Sequence, residues 1–151
     1  MYDTFNGMSA PTKEDIHIYS NETAEDISER DYNKDHSRWC NASLEEVKNN
    51  MSLTEYPSSN IFYIMGMVED TLQVSRHEKI ALLRLDTDFY NSTMRELIHL
   101  YPMLSKNGVL LVDDYGFWSG QKIAVDEYFE SKNINILLHR IDPSGRVAIK
   151  N

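Results

Sequence analysis

The sequence predicts an α/β fold built on a mostly parallel sheet with an antiparallel end. Three observations lead there. The runs Leu82-Leu83-Arg84-Leu85 and Val109-Leu110-Leu111-Val112 are short, largely apolar and end abruptly in paired carboxylates; such runs read as strands buried on both faces of a parallel sheet. Segments with apolar residues at helical spacing follow both runs. The last two apolar runs are joined by Asp142-Pro143-Ser144-Gly145, too short for a parallel crossover, so they form a hairpin.

Taken in order, Tyr2-Asp3-Thr4-Phe5-Asn6-Gly7 reads as the tail of a strand entering a loop, with Asp3 at its C-terminal end. From Pro11 to about Asn41 the chain is polar, acidic and weakly periodic. The large aromatics Tyr19, Tyr32 and Trp39 are more than a solvated linker needs, which favours a flap over a site above a disordered connection. Ser43-Leu44-Glu45-Glu46 is a capping box opening a short helix with Leu44, Val47 and Met51 on one face. After turn chemistry at 56–60, Ile61 to Met65 reads as a strand, ended by Gly66 where a backbone can approach a ligand closely.

A short helix or loop at Thr71 to Arg76 leads to the strand Ile80 to Leu85. Thr93-Met94-Arg95-Glu96 has the form of a second capping box, and Met94, Leu97, Ile98, Tyr101 and Leu104 keep helical spacing, with Pro102 kinking the end and Asn107-Gly108 as the stop. Val109 to Val112 is the next strand. Gln121 to Lys132 is an amphipathic helix offering Ala124, Val125, Tyr128 and Phe129 to the core, and Ile134 to Arg140 and Arg146 to Lys150 close the sheet. The order is β-α-β-α-β-α-β-β within a single domain, 1–151.

Composition removes several classes of function. The 151 residues suffice for one domain with a core, and no apolar run approaches the roughly 20 residues of a membrane helix. The first residues carry neither the basic region nor the apolar core of a signal peptide. The single Cys40 precludes an internal disulfide and suits a reducing, cytoplasmic setting. A net charge of -9 argues against a nucleic-acid surface, whose footprint is basic. His17, His36, His77, His99 and His139 show no ligand spacing and read as surface or packing residues, and no P-loop or Gly-x-Gly-x-x-Gly is present.

The chemistry therefore gathers at the two strand ends. In parallel sheets ligands bind beyond the carboxyl ends of the strands, so neighbouring strands would bring Asp86, Asp88, Asp113 and Asp114 to one edge. Four carboxylates repel one another unless a cation sits among them, and an all-oxygen set suits Mg²⁺ or Ca²⁺ over zinc. A carboxylate not committed to the cation is free to act as general base. The competing reading is that these aspartates merely cap the following helices; two adjacent strand ends with two carboxylates each favour the site. Asp86-Thr87-Asp88 also resembles the Asp-x-Asp of haloacid-dehalogenase-like phosphatases and of metal-dependent glycosyltransferases. Tyr90 stands where the phosphatase motif wants a hydroxyl residue of another type, and no downstream lysine is evident at a strand-helix junction.

Longer motifs go further. Leu83-Arg84-Leu85-Asp86-Thr87-Asp88-Phe89-Tyr90-Asn91-Ser92-Thr93 resembles the hallmark of the macrocin O-methyltransferase (TylF-like) family. So do Leu100-Tyr101-Pro102, Val112-Asp113-Asp114-Tyr115-Gly116 and Ala124-Val125-Asp126-Glu127. Asp3-Thr4-Phe5-Asn6-Gly7, Ala42-Ser43-Leu44-Glu45-Glu46-Val47 and Gly66-Met67-Val68-Glu69-Asp70-Thr71-Leu72 match in order upstream. The resemblance implies a Rossmann-like class I methyltransferase sheet and an S-adenosylmethionine- and Mg²⁺-dependent O-methyltransferase acting on a hydroxyl of a sugar or sugar-bearing natural product. It assigns Asp86, Asp113 and Asp114 to the metal, and Asp86 or Asp88 to removal of the substrate hydroxyl proton. Asp3 falls to the cofactor ribose, Gly66 and Met67 to the region of its adenine, and 13–41 to the lid.

The family's first strand and the glycine-rich turn after it have no counterpart in the sequence. In the strand order the resemblance implies, 3-2-1-4-5-7-6, that strand is central. The reading therefore expects either a further N-terminal segment or a second copy of the chain to complete the sheet. Two other functions stay open at this point: a non-catalytic, truncated homologue serving as a binding or assembly module, and a Mg²⁺-dependent phosphatase or sugar-nucleotide enzyme using the Asp-x-Asp.

Overall fold

The computed structural model describes residues 1–33, 36–37, 39–74 and 78–151, with the backbone alone described for 31–33, 36–37 and 74. The expectations placed on Arg76 and His77, and on the side chains of Tyr32 and His36, lie outside the described residues. In chain order the elements are β1 (Tyr2–Asp3), α1 (Ala24–Asp31), β2 (Tyr32–Asn33), β3 (His36–Ser37), α2 (Leu44–Ser52), β4 (Ile64–Met65), α3 (Val68–Val74), β5 (Ile80–Leu85), α4 (Tyr90–Leu100), β6 (Leu104–Val112), α5 (Ser119–Ser131), β7 (His139–Arg140) and β8 (Arg146–Ile149).

The α/β architecture is as the apolar runs predict. β5 pairs with β6 in parallel, with Leu83 opposite Leu110 and Leu85 opposite Val112, and β8 joins β6 antiparallel before β7 closes the edge. Leu83, Leu85, Leu110 and Val112 pack with Leu97 and Leu100 of α4 and with Val125, Tyr128 and Phe129 of α5 to form the main core. β1 and β4 form a separate parallel pair. Among the described residues no strand bridges that pair to β5, so β5 is an edge strand. Leu82, in a strand expected to be buried on both faces, is 57% exposed on the face opposite Leu83 and Leu85.

Other departures have local causes. α4 does not begin at a Thr93 capping box: it starts at Tyr90, Phe89 supplies no side-chain cap, and Thr93 is buried inside the helix. The cap comes instead from Asp15, whose Oδ1 accepts the Tyr90 N–H at 2.8 Å from 75 residues away in sequence. Nor does a helix run to Asn107-Gly108. A 3-10 turn at Tyr101–Met103, with Pro102 inside it, ends the helical stretch, and β6 begins at once. Asn107 (φ 63°) and Gly108 lie inside that strand at an irregularity in its pairing with β5; a Cβ on Gly108 would stand 2.7 Å from the Ser105 carbonyl. The capping box at Ser43 is present as predicted.

The polar stretch between Pro11 and Asn41 is docked. Asp15, fully buried, accepts hydrogen bonds from Thr12 N (2.6 Å) and Thr12 Oγ1 (2.9 Å) besides capping α4. Ile16 and Ser119 exchange backbone and side-chain hydrogen bonds, and His17 bridges to Trp118. Trp39 packs edge-on against Phe89 and beside Trp118, with Ala24 and Ile27 of α1 completing a second small core. This strap is thereby fastened over the N-termini of α4 and α5.

Candidate active site

Each parallel strand ends at the same cavity. β1 delivers Asp3, β4 is followed by Gly66 and Met67, β5 runs into Asp86, Thr87 and Asp88, and β6 leads to Asp114. The loop after β1 adds Gly7, Met8 and Ser9, the strap adds Cys40, and α3 and α4 add Glu69 and Ser92. The cavity measures about 330 Å³. It occupies the crevice beyond the carboxyl ends of the strands, the place where sheets of this kind bind ligands.

The carboxylates are brought together by backbone geometry. Asp88 adopts a left-handed conformation (φ 62°) in a tight turn in which Phe89 N donates to the Thr87 carbonyl at 2.6 Å, and Asp113 N donates to the Leu85 carbonyl at 3.0 Å. Ligand oxygens of Asp86, Asp88 and Asp114 lie within 4.8 Å of one another. Asp113 stands beside this trio. Its Oδ2 takes a hydrogen bond from Arg84 Nη2 at 2.7 Å, and the same guanidinium reaches Asp86 Oδ2 at 3.0 Å.

Electrostatics follow from that crowding. Burial, a hydrogen bond with Asp113 and neighbouring charges push Asp86 up to about 7, against the pull of Arg84. Asp113 is lowered correspondingly, first by its hydrogen bond with Asp86. Burial, the charge of Asp114 and a hydrogen bond with Asp114 push Asp88 up to about 8. The Cys40 thiol is raised by burial and by Asp88, Asp114 and Asp86, which puts the strap within reach of the cluster's field. An all-oxygen set short of positive charge fits a hard divalent cation, which would displace the extra protons.

Beneath the cluster, Thr87 Oγ1 donates to Glu96 Oε2 at 2.9 Å, and burial lifts Glu96 to about 8. Ser92 Oγ donates to Glu69 Oε1 at 2.8 Å. On the opposite wall Asp3 Oδ1 accepts the Phe5 N–H at 2.6 Å, forming a side-chain-closed turn at the mouth of the cavity. Gly66 has φ 135°, and a Cβ there would stand 3.0 Å from Thr71 Cγ2, so the wall at this point is bare backbone.

All the residues singled out from the sequence except Asp113 thus line one cavity. Arg84, Glu69, Ser92, Cys40 and Asp15 were not singled out. Arg84 precedes the carboxylates in a strand, and its alternation with Leu83 and Leu85 marks it as facing away from the core. Glu69 and Ser92 stand inside motifs that carry the family resemblance but receive no role from it, and Cys40 and Asp15 have no local signal, because their roles depend on long-range packing.

Comparison with known proteins identifies the frame. The family model described as "Macrocin-O-methyltransferase (TylF)" matches residues 1–149. The chain belongs to the TylF family. Among relatives, it is 37% identical over 103 residues to demethyldecarbamoylnovobiocin O-methyltransferase of Streptomyces niveus, covering 68% of this chain and 39% of that one. It is 34% identical over 103 residues to mycinamicin III 3''-O-methyltransferase of Micromonospora griseorubida, covering 68% of this chain and 40% of the other. Among solved structures, the O-methyltransferase NovP superposes with a TM-score of 0.82 at 29% identity, over 99% of this chain and 58% of NovP. This TylF-family chain therefore corresponds to well under two thirds of the length of these relatives, and its fold is that of their methyltransferase sheet. No helix among the described residues is long and apolar enough to cross a membrane.

Proposed function

We propose that the chain carries the cation and acceptor side of an S-adenosylmethionine- and Mg²⁺-dependent O-methyltransferase whose substrate is a hydroxyl on a sugar or a sugar-bearing natural product. The observation that carries this reading is the convergence of Asp86, Asp88 and Asp114 in one cavity with Asp3 and Gly66, within a chain of the TylF family. When bound, S-adenosylmethionine supplies an electrophilic methyl group and Mg²⁺ supplies the charge that makes a nearby hydroxyl more acidic. The residues that would hold the cation are Asp86, Asp88 and Asp114, with Asp113 kept by Arg84 as a neighbouring acceptor. Asp3 and the bare backbone at Gly66 and Met67 would hold the ribose and adenine.

The chain's own residues position and deprotonate. Asp88 or Asp86, through a carboxylate oxygen that the cation leaves free, would receive the proton of an acceptor hydroxyl. The strap at 13–41, fastened by Asp15 and Trp39, serves as the lid that keeps water from the reacting oxygen. The open edge of β5 supports a further strand pairing there, supplied by a longer form of the chain or by a second copy. The lone cysteine supports a cytoplasmic setting.

The test is transfer of a labelled methyl group from S-adenosylmethionine to glycosylated natural products and sugar nucleotides, with Mg²⁺ or with EDTA. Mass spectrometry is expected to find one added methyl on a sugar hydroxyl with Mg²⁺ and none with EDTA. Equal transfer in EDTA would remove the cation from the account, and phosphate release without methylation would replace it.

A further inference from the structure

The turn between β7 and β8 reaches back to the site. Asp142 Oδ1 accepts the N–H groups of Ser144 (2.8 Å) and Gly145 (2.6 Å), closing the turn, and Arg146 Nη1 donates to the carbonyls of Ser144 (3.1 Å) and Gly145 (2.8 Å). The turn then sits flush against the loop after β6. Gly116 N donates to the Ser144 carbonyl at 2.9 Å, and a Cβ on Gly116 would lie 2.1 Å from the Pro143 carbonyl oxygen. That approach is available only to glycine. It leaves the Ser144 hydroxyl 2.6 Å from the Asp113 carbonyl and 3.1 Å from Asp114 Oδ1.

We propose that Ser144 is a positioning residue for the cation site: its hydroxyl, held by the turn, fixes the Asp114 carboxylate toward Asp86 and Asp88. This rests on the cation reading above. A carboxylate on a loop otherwise loses affinity to the entropy of choosing its rotamer, and groups that orient metal ligands are worth about 10–100-fold in affinity. Asp142 and Pro143 are exposed and Ser144 only half-buried, so removing the hydroxyl does not open the core. The hairpin thus has a use beyond closing the sheet: it carries the brace for the carboxylate at the end of the neighbouring strand.

The experiment is calorimetric titration of the full chain with Mg²⁺ at pH 8.5, for the wild type, Ser144→Ala and Ser144→Thr, with the metal-free melting temperature of each. The expected result is Mg²⁺ binding weakened about tenfold in Ser144→Ala. Binding within twofold of the wild type is expected in Ser144→Thr, with metal-free melting unchanged there and lowered by no more than about 4 °C in Ser144→Ala, which loses the bond to the Asp113 carbonyl. Wild-type binding that Ser144→Ala leaves intact, or that Ser144→Thr weakens equally, would overturn the role of the hydroxyl while leaving the cation reading standing. A wild type that binds no Mg²⁺ would overturn the cation reading and this one with it. Should Ser144→Ala fail to fold, Ser144→Cys, similar in volume but a poor donor, is read by the same criteria.

Discussion

Gly120→Ala is expected to lower the melting temperature by about 9 °C, although alanine is the better helix former by about 1 kcal/mol. Gly120 is the second residue of α5, and a Cβ there would stand 1.7 Å from Asp15 Oδ1 and 2.9 Å from its Cγ. The carboxylate has nowhere to retreat, being fully buried and already engaged with Thr12 and with Tyr90 at the start of α4. Expelling it orphans two backbone donors, Thr12 N–H and the capping Tyr90 N–H, at a combined cost of about 4 kcal/mol against that gain. For a chain of this size the net loss of about 3 kcal/mol corresponds to the stated shift. The strap should loosen at the same time, so alkylation of Cys40 should speed up. Asp15→Ala combined with Gly120→Ala should be no worse than Asp15→Ala alone, because both remove the same contact. An unchanged melting curve for Gly120→Ala would mean that Asp15 is not the fastening of the strap.

At pH 9, where Asp88 is ionised, Asp88→Asn should move two properties in opposite directions: metal-free stability up, and Mg²⁺ affinity down by on the order of 100-fold. Asp88 is crowded by Asp114, Asp86 and Asp113, and losing its charge relieves that repulsion. Asparagine tolerates the left-handed φ of 62° as readily as aspartate, so no backbone strain is added. The pH dependence has a definite sign. Asp86 and Asp88 hold folded-state values of about 7 and 8, above the roughly 3.9 of an unfolded aspartate. The folded chain therefore binds more protons than the unfolded one in between. Their contribution to stability is complete below about pH 4 and is lost as pH rises through 7 to 8. The metal-free melting temperature of the wild type should fall between pH 5 and pH 9, less steeply in Asp88→Asn, and Mg²⁺ should restore it at the alkaline end. A drop in metal-free stability on Asp88→Asn would make the residue a structural cap.

The parts legible in the sequence are those where local chemistry and tertiary structure agree. β5 and β6 announce themselves as apolar runs ending in carboxylates, and α5 buries Ala124, Val125, Tyr128 and Phe129, the face its spacing predicts. The helix expected to run toward Asn107-Gly108 is another matter: Leu104 keeps helical spacing with Leu97 and Tyr101, but Pro102 ends the helix and hands Leu104 to β6. The Thr93-x-x-Glu96 pattern is a capping box in form only, because Asp15 does the capping from a remote segment and frees Glu96 to take the Thr87 hydroxyl. A polar stretch held down by one buried carboxylate and a few aromatics has no period to read. Which three of the four aspartates bring oxygens within 4.8 Å of one another depends on the left-handed turn at Asp88 and on the Arg84–Asp113 pair, and neither is written in the spacing of the residues.

The central claim is that one cavity joins a cation site at the ends of β5 and β6 to a cofactor site at the ends of β1 and β4. Its most direct test is calorimetric titration of the chain with S-adenosylhomocysteine at pH 8.5, without and with saturating Mg²⁺. The expected result is saturable binding of one equivalent that tightens when Mg²⁺ is present and weakens in Asp3→Ala. Absence of binding in both conditions, from a chain that is folded by its melting curve, would contradict it.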